Sequence, residues 1–183
     1  MGCGGGFLVQ AATDIGMIAE GIETNETMVA WANQRRLSVS SGNVRFLKAK
    51  GRRYDVVVLS AILEHLDNPY ELLQSCRELL NSGGVVLVSQ ASFDGLLPKV
   101  FPWGWYGWQP KEHYWHFTPA SFAKLAASSG YETVKLVRGS LYHSWFCKGG
   151  VKVVIGRNMA TLLARLGNML NQGDSFNAVL KGC

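Results

Sequence analysis

Three glycines at alternate positions, Gly2, Gly4 and Gly6, stand just ahead of an apolar run from Phe7 to Ala12. Without Cβ atoms, the backbone of such a loop can approach a ligand closely. A helix starting at Phe7 adds unpaired N–H groups at the same place. The dinucleotide pattern G-x-G-x-x-G requires glycine where this chain has Phe7, which argues against a nicotinamide-dependent oxidoreductase. Glu23 ends a predicted strand 17 residues after Gly6. A carboxylate there can accept hydrogen bonds from both hydroxyls of a ribose. Each feature alone is also what a plain turn or a surface acid looks like; their order favours a ligand.

The histidines offer acid–base chemistry. His65 follows Glu64, and His113 and His116 flank Tyr114-Trp115. An imidazole near neutral pH can take a proton from a hydroxyl or amine nucleophile. The competing reading makes His65 a packing residue at a helix–sheet junction, and both readings stay open for all three. Around them lies an aromatic stretch from Phe101 to Phe117 that holds four of the six tryptophans. Such a wall can enclose an apolar small molecule, cover its own small core, or touch a membrane surface.

Alternating elements must position these groups. The predicted strands are Ile18–Glu23, Leu37–Ser40, Tyr54–Leu59, Val85–Ser89, Tyr131–Val137 and Ser175–Leu180. Predicted helices start at Phe7, at Thr27, at Asn68-Pro69 and at Thr118-Pro119, the last two by N-cap and N1 chemistry. Met159, Leu162, Leu163, Leu166, Met169 and Leu170 follow helical spacing and predict a helix packed on the domain or on a second subunit, with membrane-surface docking as the other reading. This alternation gives an α/β fold with a mostly parallel sheet.

Composition narrows the field. A hydrophobic share of 48% supports a sizeable core in 183 residues. The net charge of +5 is spread in pairs such as Arg35-Arg36, so no nucleic-acid arm is expected. Cys3, Cys76, Cys147 and Cys183 lie too far apart for a cysteine zinc motif and read as reduced thiols. No signal peptide and no transmembrane span are expected, which points to a cytoplasmic protein.

The ordered set Gly2-Cys3-Gly4-Gly5-Gly6, Gly21-Ile22-Glu23, Tyr54 to Leu59, Leu63-Glu64-His65-Leu66, Leu79 to Gly84, Glu112 to Thr118 and Gly173 to Phe176 covers nearly the whole chain. It resembles the class I S-adenosylmethionine-dependent methyltransferases, in the broad subgroup that includes ubiquinone-pathway O-methyltransferases. The resemblance implies a Rossmann-like α/β fold with an antiparallel last strand and S-adenosylmethionine as cofactor. It implies cofactor contacts at Gly2, Gly4, Gly6, Glu23, Gly42, Asn43 and Ser60. It implies methyl transfer to a small-molecule acceptor, apolar or lipid-linked, at oxygen rather than carbon or nitrogen, with His113, His116 or His65 as base. The alternative is a non-catalytic, methyltransferase-like binding protein or inactive fragment. The family's first strand, and the acid that ends it, are missing from this chain, which begins one residue before the glycine loop. The acid that ubiquinone-pathway enzymes carry three residues before the Glu-His pair is replaced by Ala61, so no metal ligand is assigned. Residues 1–183 are expected to be a single methyltransferase domain, with a lid-like aromatic insertion at about 92–117, freed by Gly104 and Gly107, and a helical insertion at about 140–172. Weak membrane-surface contact and the oligomeric state stay open.

Overall fold

The computed structural model of the chain describes residues 1–102, 105, 107–140 and 150–183. The expectations for Gly104 and for residues 141–149 lie outside the described residues. In chain order the elements are α1 (Phe7–Asp14), β1 (Gly21–Glu23), α2 (Glu26–Gln34), β2 (Val39–Ser41), α3 (Val44–Ala49), β3 (Tyr54–Ser60) and α4 (Pro69–Glu78). They continue with β4 (Leu80–Ala91), α5 (Leu96–Val100), α6 (Pro119–Ser128), β5 (Tyr131–Gly139), α7 (Gly150–Met169) and β6 (Ser175–Gly182). A single 3-10 turn, Leu63–His65, sits between β3 and α4.

Helix starts follow local side-chain chemistry. The Asn25, Asn68 and Thr118 side chains accept hydrogen bonds from the first-turn amides of α2, α4 and α6. Ser121 answers Thr118 to complete a capping box. Pro69 and Pro119 occupy first-turn positions, where a missing N–H costs nothing.

The strands form two sheets. β1 pairs with β2 in parallel. The second sheet has the order β3-β4-β6-β5. β3 and β4 are parallel, and β6 runs antiparallel to both of its neighbours, so the last strand alone is reversed. Regular β3–β4 pairing runs from Val56–Val85 to Ser60–Ser89, after an irregularity that accommodates the turn Asn81 to Gly84.

Among the described residues no strand ladder joins β1 to β3. Residues 1–3 span the interval instead: the Met1 amino group donates to the Val58 carbonyl at 2.8 Å, and the Cys3 amide donates to Ile22 at 3.1 Å. At the other end, the Tyr54 hydroxyl donates to Glu20, which also pairs with Arg52 at 2.6 Å. This explains why β1 is shorter than the expected Ile18–Glu23. Only Gly21–Glu23 finds a partner strand, and Ile18 is fully exposed.

The main core lies between the four-stranded sheet and helices α4 and α6. Leu59, Leu73, Val86, Phe122, Phe176 and Leu180 are fully buried within it. Phe122 packs against Phe117 and Phe176 at centroid distances of 6.3 and 5.1 Å. Phe122→Ala is expected to cost about 3–5 kcal/mol, because the cavity cannot collapse against a rigid sheet. Urea unfolding checks this.

Helix α7 departs from expectation. Met159, Leu162, Leu166, Met169 and Leu170 are exposed, while Ala164 and Gly167 face inward and Leu163 packs beside Leu97 and Trp105. A side chain at Gly167 would meet the Gln172 carbonyl at 2.8 Å, so small residues set the close approach here.

Candidate functional site

The site is built at the carboxyl ends of β1, β2 and β3, where open α/β sheets receive ligands. Gly2, Gly4 and Gly6 all adopt left-handed backbone angles (φ 57°, 51° and 76°), which only glycine takes without strain. The three differ in surroundings. A Cβ at Gly2 would meet Ile62 at 2.9 Å and one at Gly6 would meet Leu37 at 3.0 Å, whereas Gly4 faces open space. Gly4 is therefore the point of the loop that a ligand can approach.

Glu23 braces this loop. Its Oε2 accepts from the Gly4 amide at 2.8 Å. Its Oε1 accepts from the amides of Thr24 (2.8 Å) and Asn25 (3.0 Å) and from the Thr24 hydroxyl (3.3 Å). Burial works to raise its pKa, but these hydrogen bonds outweigh it and hold the carboxyl below the usual range. A carboxylate offers about four lone-pair positions, two on each oxygen, so Oε2 keeps room for one further donor.

Gly42 joins the same corner, its amide donating to the Glu23 carbonyl at 3.0 Å. The Asn43 side chain is engaged as the cap of α3, accepting from the Arg45 amide at 3.0 Å. Sequence reading stopped at the turn and missed α3; Asn43 ahead of Val44 is the cap signal that marks it. Ser60 ends β3 and is exposed. After it, Ala61 has φ 50°, left-handed for a residue with a Cβ. Such a conformation costs about 1–3 kcal/mol and persists where the surroundings enforce it. The Ala61 amide is fixed to the Ser89 carbonyl at 3.0 Å, and the bend carries Ile62 against Gly2.

The 3-10 turn that follows brings the histidines together. The Glu64 carbonyl accepts from the amides of Tyr114 (2.8 Å) and Trp115 (3.3 Å), and the Trp115 indole donates to the Leu66 carbonyl at 2.8 Å. His65 and His113 meet edge to face at 4.7 Å, and His113 and His116 at 6.3 Å. His113 is buried, and its Nδ1 lies 2.9 Å from the Gly107 carbonyl. Trp108 and Phe93 pack on His116 at 4.9 and 5.6 Å. The His116 Nε2 is buried without a hydrogen-bond partner. Burial first, and His113 second, hold the His116 pKa below the ordinary imidazole value.

The sign of this shift gives a prediction. Well above the ordinary value of 6.5 His116 is neutral in both the folded and the unfolded chain. Below it the unfolded chain takes up the proton first, so stability falls as pH drops. His116→Gln should flatten that loss, which urea midpoints compared at about pH 7.5 and about pH 5.5 can measure.

The aromatic stretch is tied down more firmly than a swinging flap. The Trp105 indole donates to Asp174 at 3.0 Å. A side chain at Gly107 would sit 2.4 Å from the Trp105 ring, so the smallness of Gly107 serves packing here. A separate cavity of about 270 Å³ bordered by Lys48, Arg52, Arg53 and Glu78 lies at the amino end of β3, away from these groups.

The parallel pairs β1–β2 and β3–β4, the one reversed strand β6 and the glycine loop held by a strand-end acid make an α/β fold of the Rossmann-like kind. Residues 1–136 match the methyltransferase domain family, and the chain belongs to that family. A ubiquinone biosynthesis O-methyltransferase of Cereibacter sphaeroides is 30% identical over 149 residues, which cover 73% of this chain and 59% of that protein. One from Coxiella burnetii is 27% identical over 95 residues, covering 49% of this chain and 41% of that protein. The chain thus spans about half the length of these relatives. A SAM-dependent methyltransferase from Archaeoglobus fulgidus superposes with a TM-score of 0.71 at 18% identity, covering 98% of this chain and 83% of that one. Magnesium protoporphyrin IX methyltransferase from Synechocystis, solved with bound SAH, superposes at 0.64 with 17% identity, covering 98% and 70%. These likenesses bear out the Rossmann-like class I fold. Among the described residues no helix is long and apolar enough to cross a membrane.

Proposed function

We propose that this chain transfers a methyl group from S-adenosylmethionine to an oxygen of a small, largely apolar molecule. The observation that carries the reading is that one segment, Ser60 to His65, touches both the Glu23-braced glycine loop, through Ile62 at Gly2, and the histidine-bearing segment, through the Glu64 carbonyl. The donors and acceptors present fit the cofactor. Gly4 leaves space, and Glu23 has one lone pair left for a ribose hydroxyl. Gly42-Asn43 and Ser60 border the same corner.

When bound, the cofactor supplies an electrophilic methyl group on a positively charged sulfur and leaves as a neutral thioether. Glu23 and the glycine loop orient it, and much of the rate comes from holding acceptor and methyl group in line. His116, neutral at pH 7, receives the acceptor's hydroxyl proton at Nε2 as the oxygen–carbon bond forms. His113 stands beside it, and His65 packs on the His113 ring. Phe93, Trp108 and His116 form an apolar wall suited to a phenolic or lipid-linked acceptor. The names of the ubiquinone-pathway relatives support oxygen as the target.

Release of S-adenosylhomocysteine, followed with phenols and amines of matched shape, tests the oxygen assignment. Turnover with phenols supports it. Turnover with amines alone would move the target to nitrogen.

A further inference from the structure

We infer that Glu64, His65 and His113 form a binding site for one borderline divalent cation of the zinc type. One ligand atom from each of the three lies within 4.8 Å of the other two. A tetrahedral zinc set, with bonds of about 2.0–2.2 Å, places its ligand atoms about 3.3 Å apart.

Two observations point beyond mere proximity. The first is the orientation of the imidazoles. His65 Nδ1 lies 2.9 Å from the Glu112 carbonyl, and His113 Nδ1 lies 2.9 Å from the Gly107 carbonyl. A carbonyl only accepts, so both Nδ1 atoms carry the hydrogen and both Nε2 atoms keep a free lone pair. Fixing the tautomer through a second-shell carbonyl is the arrangement typical of metal-ligating histidines.

The second is Glu64. The residue is only 3% exposed, and its Oε2 is buried with no hydrogen-bond partner. An unpaired buried carboxylate is costly, and a cation beside it removes the cost. The backbone amides of Tyr114 and Trp115 bond to the Glu64 carbonyl, which locks the two ligand-bearing segments together.

Two imidazoles and one carboxylate select zinc or a similar transition ion over magnesium, which prefers an all-oxygen shell. The set leaves a coordination position open, as catalytic zinc sites do. An acceptor oxygen taking that position would lose its proton more readily. This last step rests on the O-methylation proposed above; the binding of the cation does not.

Ala61, in place of an acid, removes the local sequence signal for a metal site. The set found here draws instead on His113, which lies far along the chain and reaches Glu64 only through the fold.

The test uses the full chain without cofactor or acceptor, so its failure leaves the methyl-transfer reading standing. Zn²⁺ titration should show one ion per chain and a raised melting temperature. His113→Gln and Glu64→Gln should each weaken affinity by about 100-fold or more. Co²⁺ loaded into the wild-type chain should show visible bands of nitrogen and oxygen ligation without thiolate charge transfer. That spectrum decides even if a variant fails to fold. Absence of one-to-one uptake, thiolate bands, or unchanged affinity in the two folded variants would overturn the site.

Discussion

His116→Ala is expected to lower methyl transfer by about 10²–10⁴-fold, the usual contribution of a positioned base. Three properties suit His116 to this role. The ring is enclosed by Trp108 and Phe93, its Nε2 has no competing hydrogen bond, and burial keeps it unprotonated near neutral pH. A neutral imidazole with a free lone pair can accept the acceptor's proton as it is released. Cofactor affinity should barely change, because Glu23 and the glycine loop hold the cofactor from another side. Measuring turnover and S-adenosylhomocysteine binding in parallel separates the outcomes. Lost turnover with intact binding supports the base. Full turnover would leave His116 as packing, and loss of both would make it a structural residue of the aromatic segment. A phenol that already ionises at the assay pH should lose much less rate in the variant than a weakly acidic one.

Glu23→Ala is expected to weaken cofactor binding by about 1.5–3 kcal/mol, or about 10- to 150-fold. Two effects combine. The variant loses the charged acceptor for a ribose hydroxyl. It also frees the Gly4, Thr24 and Asn25 amides, so the loop is no longer fixed before the ligand arrives. Glu23→Gln keeps one carbonyl acceptor and should fall between the wild type and Glu23→Ala. Isothermal titration checks both variants. Equal affinity in all three chains would remove Glu23 from the site.

Much of this was legible in the residues. The continuous apolar run Tyr54 to Leu59 marks a parallel strand, and Asn68-Pro69 and Thr118-Pro119 mark helix starts; all three placements hold within a residue or two, although Val56 in the strand is exposed. The glycine loop and Glu23 were visible because they lie close in sequence and follow a local rule of strand, turn and helix.

What sequence alone missed depends on long-range contact. The bond from Gly4 to Glu23 shows that the acid first serves the loop, a role that no spacing rule assigns. Ala61 gave no hint of a left-handed bend, since alanine ordinarily avoids one. Nor does the sequence show that the Trp105 ring occupies the space that the missing side chain of Gly107 leaves. The helical stripe from Met159 to Leu170 suggested the buried face of α7, yet Ala164 and Gly167 make the close contacts. Residue type identified the apolar stripe; only packing shows which side the chain uses.

The cofactor is expected on the corner formed by the glycine loop, Glu23, Gly42-Asn43 and the segment after Ser60. Hydrogen–deuterium exchange with and without S-adenosylhomocysteine tests it most directly, because the signal is read segment by segment and needs no acceptor. A cofactor bound there gives saturable protection of residues 1–6, 21–25, 41–43 and 60–65, with no change around Lys48, Arg52 and Arg53. Protection confined to the Lys48–Arg53 cavity, or no saturable protection at all, would contradict it.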